Sequence, residues 1–293
     1  MPDTAAFTFL KPHTKDLGGG FVVRRTLPAV QVRSVGPFIF FDHFGPITAR
    51  PEDNHDVRPH PHIGLATVTY LFAGAMMHRD STGVTQRIEP GAINWMTAGR
   101  GVVHSERTPD DLRGVERRSH GLQLWAALPA DREEDAPSFS HTPAADVPTG
   151  ERDGVPLRVM MGEAFGLRSP VPTASPTLYV DFALPAGARI TVPDAAEERA
   201  LYGVDAGFQL DGVDVPPQTM VLVPAGQTPV LAAPQAARVV LVGGSPLGHR
   251  FMWWNFVSSR KERIAQAVDD WAAQRMGHVE GETEFIPAPE FRG

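Results

Sequence analysis

The sequence predicts an all-β protein built of two similar halves and closed by a single helix. Three observations lead there. Short runs rich in β-branched and aromatic residues recur along the chain of 293 residues, and 28 Gly and 28 Pro are scattered between them as turn punctuation. The same pattern of runs and turns starts again after residue 150, as if one β architecture were repeated. Only one segment, near the C-terminus, has helical spacing.

In the first half the expected strands are 21–25, 30–33, 37–41, 65–72, 86–88, 92–96, 102–104 and 121–128. Asp42-His43-Phe44-Gly45-Pro46 reads as a loop. Residues 129–150 carry Pro129, Asp131, Arg132, Glu133, Glu134, Asp135, Pro137, Pro143 and Pro148, the composition of a solvated connection. The expected domains are therefore 1–135 and 151–293, joined by a linker at 136–150. The second half offers strands at 156–160, 177–182, 188–192, 219–223 and 237–242. The helix is expected at 259–276. Ser259 and Glu262 have capping-box spacing, Ile264, Ala267, Val268 and Trp271 share one face, and Gly277 supplies a stop.

Composition removes several functions. A hydrophobic fraction of 42% and a charged fraction of 21% describe a globular protein with a substantial core. With no cysteine there are no disulfides, thiolate metal sites or cysteine nucleophiles, which is compatible with a reducing cytoplasm. The net charge of −7, without a basic cluster, argues against direct nucleic-acid binding. No signal-peptide pattern follows Met1, and no apolar stretch reaches the length of a membrane span, so a cytoplasmic, membrane-free protein is expected.

The chemistry concentrates in His60-Pro61-His62 and His104-Ser105-Glu106. Each cluster has the form ligand-x-ligand, and residues i and i+2 of a strand share a face. Two such strands meeting inside a barrel present three imidazoles and one carboxylate to a single point. That set suits Fe(II), Mn(II), Ni(II), Cu(II) or Zn(II). Either motif alone is a weak signal. Their pairing strengthens it, and so does the distribution of histidine: eight of the 11 lie in the first 120 residues, leaving only His141, His249 and His278 beyond. The second half has no paired cluster.

Phe41-Asp42-His43-Phe44-Gly45-Pro46, His60-Pro61-His62-Ile63-Gly64, the run from Trp95 to Glu106 with the preceding Pro90-Gly91, and Trp253-Trp254-Asn255-Phe256-Val257-Ser258-Ser259 resemble the signatures of the pirin family, within the cupin superfamily. The resemblance spans nearly the whole chain. It implies a bicupin: two cupin-type β-barrel (jelly-roll) domains face to face, with one Fe(II) per chain in the N-terminal barrel and none in the other. The implied ligands are His60, His62, His104 and Glu106, and other divalent metals are expected to enter the site in vitro. Many cupins place a further Glu four residues after the H-x-H; that position is Ala66, which leaves Glu106 as the clustered carboxylate.

Such a set leaves a divalent ion at formal charge +1, with two octahedral positions free. Asp42, His43, Phe44, Met96 and Arg100 are the candidates to line the cavity around it, each with a plain alternative as core filler, turn cap or backbone-satisfied polar group. The resemblance implies one of two functions. One is a quercetin 2,3-dioxygenase, which opens a flavonol ring with dioxygen. The other is a non-enzymatic, redox-responsive coregulator that binds a transcription factor or a metabolic enzyme. The expected partner is accordingly a small aromatic substrate with dioxygen, or a protein.

Overall fold

A computed structural model describes residues 7–18 and 20–291. The chain divides into two compact units. Residues 1–13, 25–41 and 145–246 make one; residues 14–24, 42–144 and 247–293 make the other.

The unit that ends at Pro246 contains a seven-stranded antiparallel sheet in the order Thr8–Leu10, Met220–Val223, Glu198–Gly203, Ala237–Gly244, Thr177–Leu184, Val155–Met161, Thr149–Arg152. A four-stranded sheet follows the order Arg189–Thr191, Val230–Ala232, Phe208–Leu210, Val213–Val215. Its core alternates along the strands as the period-2 pattern requires. Val155, Leu157 and Val159, then Leu178, Val180 and Phe182, then Val239 and Leu241 are all buried in one cluster. Each such side chain contributes about 1.5–3 kcal/mol by leaving water.

The other unit repeats this seven-plus-four layout. Its larger sheet runs Ser138–Thr142, Ile93–Thr97, Leu65–Ala73, Arg117–Ala127, Phe38–Ala49, Val22–Leu27, His13–Asp16. Its smaller sheet runs Val57–His62, Val102–Arg107, Met76–Asp80, Thr85–Ile88. Both His clusters lie in this smaller sheet. The repeated all-β architecture with one closing helix is the fold class that the sequence predicts. Among the described residues no helix is long and apolar enough to cross a membrane.

Several local expectations change. Residues 42–46 are no loop: the strand runs unbroken from Phe38 to Ala49, with Asp42 to Gly45 buried. Residues 30–33 form no strand, and Val30 is fully exposed. The proposed linker at 136–150 contains two strand segments, since Ser138–Thr142 pairs with Ile93–Thr97 and Thr149–Arg152 pairs with Val155–Met161. Nor do the compact units follow 1–135 and 151–293, because residues 247–293, helix included, group with the unit that holds the histidines.

The helix is Lys261–Ala272, shorter at both ends than the expected 259–276. Its N-cap is Arg260, with no side-chain cap. The Ser259 hydroxyl instead donates to Glu133, a carboxylate only 3% exposed that also pairs with Arg250 at 2.8 Å. The chain leaves the helix through Gln274 at φ 55°, before Gly277 is reached. Ile264, Ala267 and Trp271 pack on Ile63, Val103 and Phe256, so the helix covers residues adjacent to both His clusters.

Gly99 matters to that region. It sits at φ 52°, and a Cβ there would overlap the Asp135 carbonyl. Its own carbonyl accepts from Gly64 N–H at 2.9 Å, tying the turn before His104 to the turn after His62. Gly99→Ala is expected to cost roughly 1–3 kcal/mol of backbone strain. Differential scanning calorimetry should register it as a lowered unfolding midpoint; an unchanged midpoint contradicts the account.

Candidate metal centre

The strands Val57–His62 and Val102–Arg107 run antiparallel, with His104 opposite His60 and Val102 opposite His62. Cross-strand partners share a face, and so do i and i+2, so three imidazoles gather on one side of two strands. Their ring centroids are 4.3–5.0 Å apart. One nitrogen from each of His60, His62 and His104 lies within 4.8 Å of the other two, and all three residues are buried.

Each imidazole is oriented from behind. His60 Nδ1 donates to the Arg58 carbonyl at 2.9 Å, and His62 Nδ1 donates to the Asn255 carbonyl at 3.2 Å. Trp125 meets the His62 ring edge-on at 5.1 Å. Asn255 belongs to the turn of a hairpin, Phe251–Trp253 with Phe256–Ser258, so the Trp-Trp-Asn-Phe motif supplies a backbone acceptor as well as core. With Nδ1 protonated, Nε2 carries the free lone pair. The Nε2 atoms of His62 and His104 lie 3.1 Å apart.

Burial makes the set neutral. It pushes His60 down to about 4, against a smaller opposite effect from the Arg58 carbonyl. It also places His62 and His104 well below the ordinary imidazole value, helped by the neighbouring rings. Neutral imidazoles are the form that binds metal.

Glu106 stands apart from the three. Between His104 and Glu106 the pairing slips, so that Arg58 and Pro59 face the single Ser105, and Glu106 lies opposite Val57 on one side and His78 on the other. Its carboxylate is not a member of the convergent group. Burial raises it to about 7, and no described hydrogen bond or ion pair offsets that burial. A carboxylate with nothing to offset its burial, two residues from His104 on the same strand, is a group short of positive charge, and a divalent cation would supply it. The residues present therefore fit a metal.

The five cavity candidates scatter. His43 is fully buried with its Nε2 2.8 Å from His120 Nε2. Phe44 packs with Phe21, Val23, Leu71 and Ile88. Asp42 and Met96 are buried in strands. Arg100 has an exposed side chain and engages through its backbone, donating to the Asp135 carbonyl and accepting from Arg263. Sequence reasoning missed His78 and Asp80, which stand behind His104. The signal was present: His78-x-Asp80 has the same i, i+2 spacing as the two clusters. Ala66 is buried against Ala126 and Thr97 and brings no carboxylate, as the sequence requires.

The C-terminal segment braces these strands. Ser105 Oγ donates to Glu282 at 2.5 Å, Arg107 pairs with the same carboxylate, and Ile286 N–H donates to the Pro59 carbonyl at 2.8 Å.

A repeated seven-plus-four β architecture with one His cluster that can hold a metal, in one of the two units, defines a two-domain cupin. Residues 20–126 match the pirin family and residues 179–277 match the pirin C-terminal cupin domain. A pirin-like protein of Caulobacter vibrioides is 46% identical over 280 residues, covering 94% of this chain and 96% of the relative. Pirin of Homo sapiens is 33% identical over 275 residues, 91% of each chain. The crystal structure of a quercetin 2,3-dioxygenase from Acinetobacter baumannii aligns with a TM-score of 0.90 at 33% identity, covering 98% of this chain and 96% of that one. The chain belongs to the pirin family.

Proposed function

We propose that this chain is a mononuclear iron protein that opens a flavonol such as quercetin with dioxygen, a quercetin 2,3-dioxygenase-type activity. Its ligands are His60, His62, His104 and Glu106. The observation that carries the reading is the convergence of three buried, neutral imidazoles, with Glu106, whose burial nothing else offsets, two residues from His104 on the same strand. The likeness to a protein described as a quercetin 2,3-dioxygenase supports the substrate class.

When bound, iron would supply a Lewis acid and a redox centre for chemistry between the substrate and dioxygen. The chain does the rest. The carbonyls of Arg58 and Asn255 hold two imidazoles in the Nε2-ligating tautomer. Glu106, ionised, would hold the metal as its one carboxylate and offset part of its charge. Burial keeps bulk water from the reacting groups.

A second reading, the redox-responsive coregulator that binds a transcription factor or a metabolic enzyme, has one observation in its favour. The cavity that Glu106 lines with Phe21, His55, Met76 and Thr108 has a volume of about 40 Å³. That is room for water on the Glu106 side, far below the roughly 300 Å³ at which small-molecule pockets begin, and the three imidazoles do not line it.

The experiment is to load the protein with one equivalent of Fe(II), add quercetin under oxygen, and follow loss of the flavonol absorption band. Dioxygenase function predicts catalytic turnover that His104→Ala abolishes. Turnover no faster than free iron defeats the enzyme reading and leaves the coregulator.

A further inference from the structure

Behind His104 lies a chain of buried polar groups that the ligand set does not use. His104 Nδ1 is 3.3 Å from His78 Nδ1. His78 Nε2 is 2.9 Å from Asp80 Oδ2. The other oxygen, Asp80 Oδ1, accepts from Thr82 N–H at 2.8 Å, Thr82 Oγ1 at 2.6 Å and Val84 N–H at 3.3 Å. His78 and Asp80 are each 3% exposed, and the His78 ring is held by stacking on Phe139 at 4.4 Å. Strand pairing builds the arrangement: Asp80 lies opposite His104, and His78 opposite Glu106.

We propose that Asp80 and His78 are positioning residues that lock His104 in its metal-ligating tautomer, and that they set metal affinity without touching the metal. The inference rests on the metal centre proposed above. Its logic is one of donors and acceptors. An ionised Asp80 only accepts, so His78 Nε2 must carry the hydrogen. With its hydrogen at Nε2, His78 offers a lone pair at Nδ1. That lone pair takes a hydrogen only from His104 Nδ1, which leaves the His104 Nε2 lone pair aimed toward His60 and His62. One carboxylate thus fixes two tautomers in succession. Burial pushes the Asp80 carboxyl up, yet hydrogen bonds from His78 and Thr82 outweigh it and hold the group below its usual value, keeping it the acceptor that the chain needs.

Asp80→Asn tests the polarity without changing the shape. Two backbone N–H groups and a hydroxyl keep the amide oxygen where Oδ1 is, so the amide nitrogen, a donor, faces His78. His78 must then accept at Nε2 and carry its hydrogen at Nδ1, directly against the hydrogen of His104 Nδ1. His78→Gln and His78→Leu make a matched pair. The Gln amide can accept from His104 and donate to Asp80, whereas Leu fills space and does neither.

The probe is Zn(II), titrated into the full-length protein in competition with a chromophoric chelator. Asp80→Asn and His78→Leu are expected to bind zinc roughly 10–100-fold more weakly than the parent. His78→Gln is expected to stay within a few-fold, which a purely space-filling role would not produce. In ¹⁵N-histidine spectra of the zinc form, the parent is expected to show His104 protonated at Nδ1 and bound through Nε2. Zinc affinities of Asp80→Asn and His78→Leu within about twofold of the parent overturn the inference. A parent chain that binds no zinc overturns the metal centre itself.

Discussion

His62→Ala is expected to take up no stoichiometric metal. His62 is built into its surroundings: 1% exposed, held at Nδ1 by the Asn255 carbonyl, flanked by Trp125, and with Nε2 within 3.1 Å of its His104 counterpart. No side chain nearby replaces it, because the position four residues on is Ala66. Removing a group behind a metal ligand costs roughly 10–100-fold in affinity, and removing the ligand itself must cost more. The measurement is iron content after anaerobic loading and desalting, with the circular dichroism spectrum as a control for folding. The truncation also opens a cavity beside Trp125, so His62→Gln, closer in volume, serves as the second variant. Iron retained at one equivalent by either folded variant would remove His62 from the ligand set.

The residues of this centre were legible because strand geometry converts spacing directly into facing. His60 with His62 needs only a period of two, and the pairing of His104 with His60 needs only that the two strands be neighbours. What was not legible depends on partners far away in sequence. Glu106 shares the i, i+2 spacing of the histidines, but the irregular pairing at Ser105 that shifts its cross-strand partner to Val57 leaves no mark in the sequence. Glu133 reads as part of a solvated, charged connection. Ser258, Ser259 and Arg250, more than a hundred residues on, bury and satisfy it. The same contact takes Ser259 away from the helix it was expected to cap. Asp42 to Pro46 reads as a loop after the strand at 37–41, yet the strand continues through it because neighbouring strands pair with it. His78 and Asp80 were passed over for a different reason: only the paired strands show that a carboxylate and an imidazole stand in line behind His104.

His43→Gln is expected to remove a large part of the acid sensitivity of folding. His43 is fully buried, and burial first, then His120, then Arg24, push it down to about 3. In the unfolded chain it titrates near its ordinary value of 6.5. Between those values the unfolded state binds a proton that the folded state refuses, so stability rises with pH across this window and falls as the solution is acidified. The contribution is fully present above about 6.5 and lost on the way to about 3, on the order of 5 kcal/mol in all. A Gln at this position can still hydrogen-bond His120, whose Nε2 lies 2.8 Å from that of His43, and it carries no titratable group. Urea unfolding of the metal-free protein at pH 7 and pH 4 reads the effect. The parent is expected to lose roughly 3 kcal/mol more than the variant between the two pH values. The buried imidazoles at the metal centre contribute an acid dependence of their own, but they are common to both proteins and cancel in the difference. Equal losses in parent and variant would mean that His43 accepts a proton in the folded state, and that the His43–His120 pair opens to water without unfolding the chain.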